Sequence, residues 1–244
     1  QVCWIGREGM TTQGTSITTG NPSMSKVFTH NSTDDVWSGN VLTDSIAGQS
    51  IGILIPGSTL TFAQAEYEAG LMAWRLQNAQ SLRVTSRGWG VKAGANCMSE
   101  AGISPVTVSP NDILTVYPLP VEATAQKSNV LAWVRTTKGV ELFKAKAVTD
   151  NTATAMTTAV NDQTLGDAFF NSTLQSISVK CEDGCTLDSI QIIDEMGGVV
   201  FTAQGNVRGA TTPAAKSNEY NLDLPRLAIG IGKGWSFKVI TVSE

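Results

Sequence analysis

The single histidine, His30, limits the hydrolytic chemistry that this sequence can support. A Ser–His–Asp or Cys–His mechanism needs an imidazole base. His30 lies in the polar stretch Thr29–Thr33, which has no nucleophile-elbow pattern nearby. One histidine is also too few for an imidazole-based zinc site. We therefore interpret His30 as a surface or hydrogen-bonded loop residue.

Paired carboxylates are the next candidates, because glycoside hydrolysis requires two of them across a sugar bond. Glu66 and Glu68 are two residues apart and would point to different faces of a helix. Asp34–Asp35 and Asp194–Glu195 have turn-like surroundings, where carboxylates usually cap or are solvated. We expect no catalytic pair, and we predict that the chain is not an enzyme.

The glycine-rich run Gly230–Gly234 superficially resembles a phosphate-binding loop. It lacks the Gly-x₄-Gly-Lys-Ser/Thr spacing, and a strand-like segment beginning at Trp235 follows it instead of a helix. A hairpin connector is the better interpretation, and we predict no cofactor and no metal.

Four cysteines permit three pairings. Cys181 and Cys185 flank the turn sequence Glu182–Gly184 between two alternating segments, so a disulfide would close that hairpin. Cys3 and Cys97 would then be left to pair, joining the N-terminus to the end of the first half. The alternative is free thiols. Either bridge would place the protein in an oxidising or extracellular setting.

Six tryptophans raise the question of sugar stacking. Trp133 and Trp235 lie in alternating segments and are predicted to pack in the core. Trp37 and Trp89 lie in segments flanked by glycine, and they are our candidates for exposed contact residues. We favour core or interface packing over ligand binding for the set as a whole.

Charge and composition exclude several partners. The net charge is −4 and charged residues make up only 16% of the chain, so a basic face for phosphate backbones is lacking. We predict no direct contact with nucleic acid. The chain has no apolar run long enough for a membrane-spanning helix. It begins at Gln1 without Met, which we interpret as removal of a leader or as a maturation cleavage.

The polar residues are mostly Thr, Ser, Asn and Gln, a composition that favours a mainly β protein. We place a boundary near Ile103, giving a β/loop region over 1–104 and a second part over 105–244. The first region has extended candidates at Val2–Ile5, Lys26–His30 and Val36–Leu42. We also interpret this region as an arm for assembly with neighbouring subunits.

One stretch of the first region follows a helical pattern. Phe62, Ala65, Ala69, Met72 and Leu76 repeat at helical spacing among good helix formers. The pattern predicts a helix over about 62–77. A strand over 82–86 and a turn over 87–90 are expected to follow it.

The second part predicts an eight-stranded antiparallel β-sandwich, with one long connection and a short helix over about 163–170. A jelly roll is the first choice and an immunoglobulin-like sandwich the second. The eight predicted strands are Asp112–Pro118, Asn129–Thr136, Val140–Val148, Thr173–Lys180, Thr186–Asp194, Val199–Ala203, Leu222–Ile231 and Trp235–Val242.

The closing segment Trp235–Val242, which ends the alternating pattern, resembles the jelly-roll virion proteins of bacteriophages. The resemblance covers residues 105–244 and is one of pattern. It implies self-assembly and host-surface contact, with binding at loop tips and subunit interfaces. Residues 1–25 contain Arg7 as their only basic residue, which favours an outer position over one that lines the genome.

Three functions follow as alternatives. The first is a virion structural protein, as a capsid-exterior, decoration or tail component. The second is a bacterial surface or filament subunit, or an adhesin. The third is a secreted carbohydrate-binding module. We expect a homo-oligomer or assembly with other virion or surface subunits, contact with a glycan or host surface, and a location in the virion or at the cell exterior.

Overall fold

The computed structural model describes residues 2–8, 17–18, 27–31, 36–40, 49–53, 59–66, 69–92, 97–99, 106–107, 112–120, 125–182, 185–208, 220–223 and 228–243. The protein divides into two compact units, and the division along the chain falls after Pro120. Most of the described residues lie in β-strands, and every strand pairing among them is antiparallel. The prediction of a mainly β protein is therefore confirmed.

The first unit is built on one antiparallel sheet. Along its hydrogen-bonded path the strand order is β2-β3-β4-β1-β6-β9-β8-β7-β11-β5, and β10 also pairs with β6. The strands are β1 (Val2–Glu8), β2 (Ile17–Thr18), β3 (Val27–Asn31), β4 (Val36–Asn40), β5 (Gln49–Ile53), β6 (Thr59–Glu66), β7 (Ala69–Asn78), β8 (Val84–Lys92), β9 (Cys97–Ser99), β10 (Val106–Thr107) and β11 (Asp112–Pro120).

The core of this unit lies around β7, which pairs with both β8 and β11. Trp74 is opposite Gly88, and a Cβ added at Gly88 would lie 2.5 Å from the Trp74 ring. Glycine therefore makes room for the indole. On β11, Tyr117 is buried, and the Arg75 guanidinium lies 5.6 Å from the centre of its ring.

The predicted helix over 62–77 is wrong, because β6 and β7 occupy this stretch as strands. β7 is a central strand and is buried on both faces, so apolar residues occur at odd and even positions alike: Leu71, Ala73, Trp74 and Leu76 are all buried. Such a run contains helical spacings by chance. Pairing with two neighbouring strands overrides the helix propensity of its residues.

Other predictions for the first unit had mixed outcomes. The extended candidates near the N-terminus are confirmed as β1, β3 and β4. The turn expected over 87–90 is wrong, since these residues lie inside β8. His30, expected in a loop, lies on β3 opposite Trp37. Glu66 ends β6, whereas Glu68 and Asp34–Asp35 lie outside the described residues.

The boundary expected near Ile103 also changes. Asp112–Pro118 was assigned to the C-terminal sandwich, but it forms most of β11. That strand pairs with β7 from Asp112 to Pro120 and with β5 on its other side. The strand therefore belongs to the first unit.

The described residues of the second unit form eight strands and one short helix. The strand order is β17-β16-β19-β14-β13-β12-β15-β18. The elements are β12 (Lys127–Thr136), β13 (Gly139–Thr149), β14 (Thr154–Thr158), α1 (Leu165–Phe169), β15 (Leu174–Cys181), β16 (Cys185–Ile193), β17 (Val199–Arg208), β18 (Tyr220–Asp223) and β19 (Ser236–Ser243).

This sheet curls around one core. β14 links two halves, because Thr154–Met156 pair with β19 while Thr157 and Thr158 pair with β13. Strands far apart in the order nevertheless share a single apolar cluster. It includes Ala132, Phe143, Val179, Ile190 and Phe237. Phe143 packs edge-on against Phe237, with 6.1 Å between the ring centres.

Six of the eight strands predicted for the C-terminal part correspond closely to β12, β13, β15, β16, β17 and β19. The short helix is confirmed as α1. The predicted strand over 222–231 overlaps β18 only at Leu222 and Asp223, and Gly230 within it forms an isolated bridge with Thr173. β14 was missed, because it lies within the segment expected to be a long connection. The two-layer jelly roll stays a prediction.

Candidate contact site

A tight turn joins β16 to β17 at one end of the second unit. Asp194 organises it: its Oδ1 accepts hydrogen bonds from the Met196 and Gly198 backbone N–H groups, at 2.9 and 2.7 Å. The backbone adds a bond from Asp194 N to Gly198 O at 2.9 Å. Gly197 has φ +85°, a conformation that favours glycine. This agrees with the sequence interpretation of Asp194 as a turn-capping carboxylate.

The turn presents apolar side chains to solvent. Met196 is 88% exposed, and Val199 and Val200, at the start of β17, are 57% and 43% exposed. We call these three residues the apolar tip. Contiguous exposed apolar patches mark contact sites on soluble proteins. The tip was not predicted from the sequence, although a Met in the turn and two following valines were the signal.

An open depression lies beside the tip, lined by Asp194, Glu195, Gly232, Lys233, Gly234 and Trp235. The Trp235 indole Nε1–H donates to Glu195 Oε2 at 3.0 Å. A Cβ at Gly232 would overlap that nitrogen, so a larger residue there would displace the indole. Trp235 is partly buried against the core. Its hydrogen bond therefore holds the Glu195 side chain in place.

Helix α1 is hydrogen-bonded to the same loop. Gly166 N donates to Trp235 O at 2.8 Å, and the Thr164 side chain caps the helix by accepting from Asp167 N. Phe170, directly after the helix, is half exposed. The tip and the depression are therefore held by side-chain and backbone hydrogen bonds to structured elements of this unit.

Nearby, the Lys144 ammonium lies 2.8 Å from Asp162 Oδ1. The hydrogen bond and charge of Lys144 lower the pKa of Asp162. This pair connects β13 to the segment between β14 and α1 at the protein surface. The same segment carries Val160, whose side chain is 46% exposed.

The cysteines do not form the predicted bridges in this structure. Cys181 and Cys185 are buried free thiols. Cys3 on β1 is opposite Ala65 of β6, and Cys97 on β9 is opposite Glu66 of the same strand. Because β6 lies between them, their Cα atoms are about 10 Å apart. A disulfide requires at most about 6.8 Å, so the Cys3–Cys97 pairing is wrong.

The tryptophan predictions had different outcomes. Trp133 is buried, as expected, and Phe237 and Val239 share the buried face of β19. Trp89 was a candidate for an exposed contact, but it lies on β8 with only 1% of its surface exposed. Trp37 lies on β4, and its side chain is outside the described residues.

The described residues contain no group of three or more His, Cys, Asp and Glu side chains placed to hold a metal ion. They also contain no helix that is long and apolar enough to cross a membrane. The loop over 230–234 leads through a turn into β19, in keeping with its interpretation as a connector. The geometry that stands out is a rigid turn with an apolar surface.

No family model and no curated protein matches the chain. One solved structure that it is compared with is a tetra-tandem repeat from the extending region of a large adhesion protein, at 11% identity. The alignment covers 100% of this chain and 90% of that chain, with a TM-score of 0.14. At that score the comparison carries no argument about fold or function.

Proposed function

We propose that this protein is a structural subunit that acts by self-assembly and surface contact, as a capsid-exterior, decoration or tail component of a bacteriophage virion. The observation that carries the proposal is the apolar tip. Met196 has almost its whole side chain in solvent, on a turn that four hydrogen bonds hold in place. The proposed occupant of this surface is a second copy of the chain.

The rigidity of the turn matters for binding. Ordering a loop on association costs free energy, and a turn that is already ordered avoids most of that cost. Asp194 and Trp235 hold the two sides of the turn before any partner arrives. Exposing Met196, Val199 and Val200 to water is unfavourable, so covering them in an assembly is a source of affinity.

The jelly-roll form of the second unit is part of the same proposal. Its support is the number of strands and the single core enclosed by the two halves that β14 links. In such a unit, turns between strands gather at the ends of the sheet. The turn at Asp194–Gly198 is one of these, so its apolar residues would face neighbouring subunits.

The test is the concentration dependence of self-association. We expect the wild-type protein to associate at high micromolar concentration. Met196→Ser combined with Val199→Thr and Val200→Thr should weaken association about tenfold or more, because it removes exposed apolar area while keeping strand-forming residues. Sedimentation velocity over a concentration series measures the effect.

The matched control is Leu82→Asn. Leu82 is 69% exposed on the turn between β7 and β8, and its φ of +57° suits asparagine. We expect this variant to associate like the wild type. A wild-type protein that stays monomeric at high micromolar concentration would contradict the proposal. Equal weakening by Leu82→Asn would contradict the role of the tip.

The second candidate is a bacterial surface or filament subunit, or an adhesin, located at the cell exterior. One observation favours it: among the described strands, β17 is an edge of its sheet and is ten residues long. Such an edge can accept a strand from another subunit. Particles that co-purify with nucleic acid would favour the virion protein, and filaments without it would favour this alternative. Monomers with glycan affinity would instead favour the carbohydrate-binding module.

A further inference from the structure

Two thiols meet at the opposite end of the second unit from the apolar tip. Cys181 ends β15, and Cys185 begins β16. In the strand order four strands lie between β15 and β16. The curl of the sheet nevertheless brings the two cysteines together, and their side chains are hydrogen-bonded to each other. Both residues are almost completely buried.

The turn between them is anchored on β12. Cys185 N donates to Glu182 O at 3.2 Å, which closes the turn. The Glu182 carboxylate accepts a hydrogen bond from Asn129 N at 3.0 Å, and Glu182 N donates to Asn129 O at 3.1 Å. These bonds hold both cysteines at fixed positions. Their thiols therefore face each other in the folded protein without any rearrangement of the strands.

We propose that Cys181 and Cys185 form an oxidisable dithiol, which closes as an intrachain disulfide when the protein folds under oxidising conditions. The bond would join the end of β15 to the start of β16, where the chain passes between the two halves of the curled sheet. The disulfide would therefore hold the ends of these two strands together covalently. This role is separate from the self-assembly proposed for the other end of the unit.

The surroundings of the two thiols differ in the folded protein. The hydrogen bond to Cys185, together with burial, raises the pKa of Cys181. The same hydrogen bond and another from Ser128 lower the pKa of Cys185, against the opposing effect of burial. Both thiols are almost completely buried in the folded protein, so a reagent reaches them while the chain is still folding, and the thiolate is the reactive form.

The oxidant is a low-molecular-weight disulfide. Before folding buries the site, the thiolate of one cysteine attacks one of the oxidant's sulfurs, the S–S bond breaks, and one small thiol leaves. The other cysteine, brought beside it by folding, then attacks the sulfur of the first in the mixed disulfide and releases the second small thiol. The two protons lost by the cysteines are carried by the two released thiols. The protein is oxidised by two electrons and the reagent is reduced by two.

Peptide mapping of the full-length protein tests the proposal. Trypsin cleaves after Lys180 and after Arg208, and no Lys or Arg lies between them. One peptide, 181–208, therefore contains both thiols and excludes Cys3 and Cys97. The protein is unfolded, reduced and refolded with a mixture of a low-molecular-weight thiol and its disulfide. We expect this peptide to be lighter by two hydrogen atoms and to resist alkylation.

A second measurement follows the thermal transition. Adding a reductant to the oxidised wild type should lower Tm by roughly 5 °C, since the bridge closes only a short loop. The Cys181→Ala/Cys185→Ala variant should not respond to the reductant. A 181–208 peptide that keeps two alkylatable thiols after refolding would overturn the proposal. An equal Tm change in the double variant would overturn the stapling role of the bridge.

Discussion

Asp194 is the residue on which the turn at the apolar tip depends. One of its carboxylate oxygens accepts from two backbone N–H groups, and its own backbone N–H closes the turn on Gly198. Short polar side chains stabilise turns in this way because they replace missing backbone partners. A side chain at Gly198 would have to displace the Asp194 carboxylate, since a Cβ would lie 2.7 Å from Asp194 Oδ2.

Replacing Asp194 should therefore loosen the turn. For Asp194→Ala we expect a loss of about 1–2 kcal/mol in the free energy of unfolding, because two backbone donors lose their acceptor. Asp194→Asn keeps an oxygen in the same place and should lose less than half as much. Urea unfolding followed by tryptophan fluorescence measures both. An alanine variant as stable as the wild type would show that water replaces the carboxylate.

Individual residues were predictable where alternation was clean. Phe237 and Val239 are buried as the period-two pattern of the last strand indicates. Trp89 was misplaced because glycines on both sides suggested a turn. In the structure those glycines belong to β8, where Gly88 makes space for the Trp74 ring. A sequence shows where a glycine lies, but it does not show which side chain packs into the space that the glycine leaves.

Helix α1 shows how one small element can position a loop. Gly166 packs so closely on the loop before β19 that a Cβ would lie 2.6 Å from Trp235 N and 2.8 Å from Gly232 O. These are backbone atoms, so the loop itself would have to move. The intrinsic preference of helices for alanine over glycine is therefore overridden by packing at this position.

For Gly166→Ala we expect destabilisation by about 1–3 kcal/mol, the usual cost of overpacking. The shift should also displace Trp235 and change its fluorescence. Gly230→Ala is the matched control, because a Cβ there would have no neighbour within 4 Å. It should change stability by less than about 0.5 kcal/mol. If Gly166→Ala were stabilising, helix propensity would dominate over the contact with the loop.

At the same scale, β7 explains why element type could not be predicted from spacing alone. Its apolar residues occur on both faces because the strand is covered on both sides, and their spacing then matches a helix as well as a strand. The pairing with β8 and β11 decides the outcome. β8 follows β7 through the short connection over 79–83, but β11 begins only at Asp112, so the local pattern does not show the second pairing. β14 was missed because it has too few large apolar residues to form a pattern: it is five residues long, mostly threonine and alanine.

The division of the whole chain depends on pairings between distant segments. β11 has the composition of a strand, and nothing in its own residues says which sheet it joins. Its register with β7 over Asp112–Pro120 places it in the first unit. The candidate contact site was missed at this scale too, because the apolar tip becomes conspicuous only once the neighbouring apolar residues are known to be buried.

This division predicts which fragment folds. All members of the core cluster of the second unit lie between Val130 and Val239. Residues 121–244 expressed alone should therefore unfold cooperatively and give a β-type circular dichroism spectrum. The fragment 105–244, which starts near the boundary expected from sequence, additionally carries β11 without β5 and β7. An unpaired strand of nine residues favours aggregation, so we expect lower solubility by light scattering. If 105–244 were the more soluble and stable fragment, β11 would belong to the second unit.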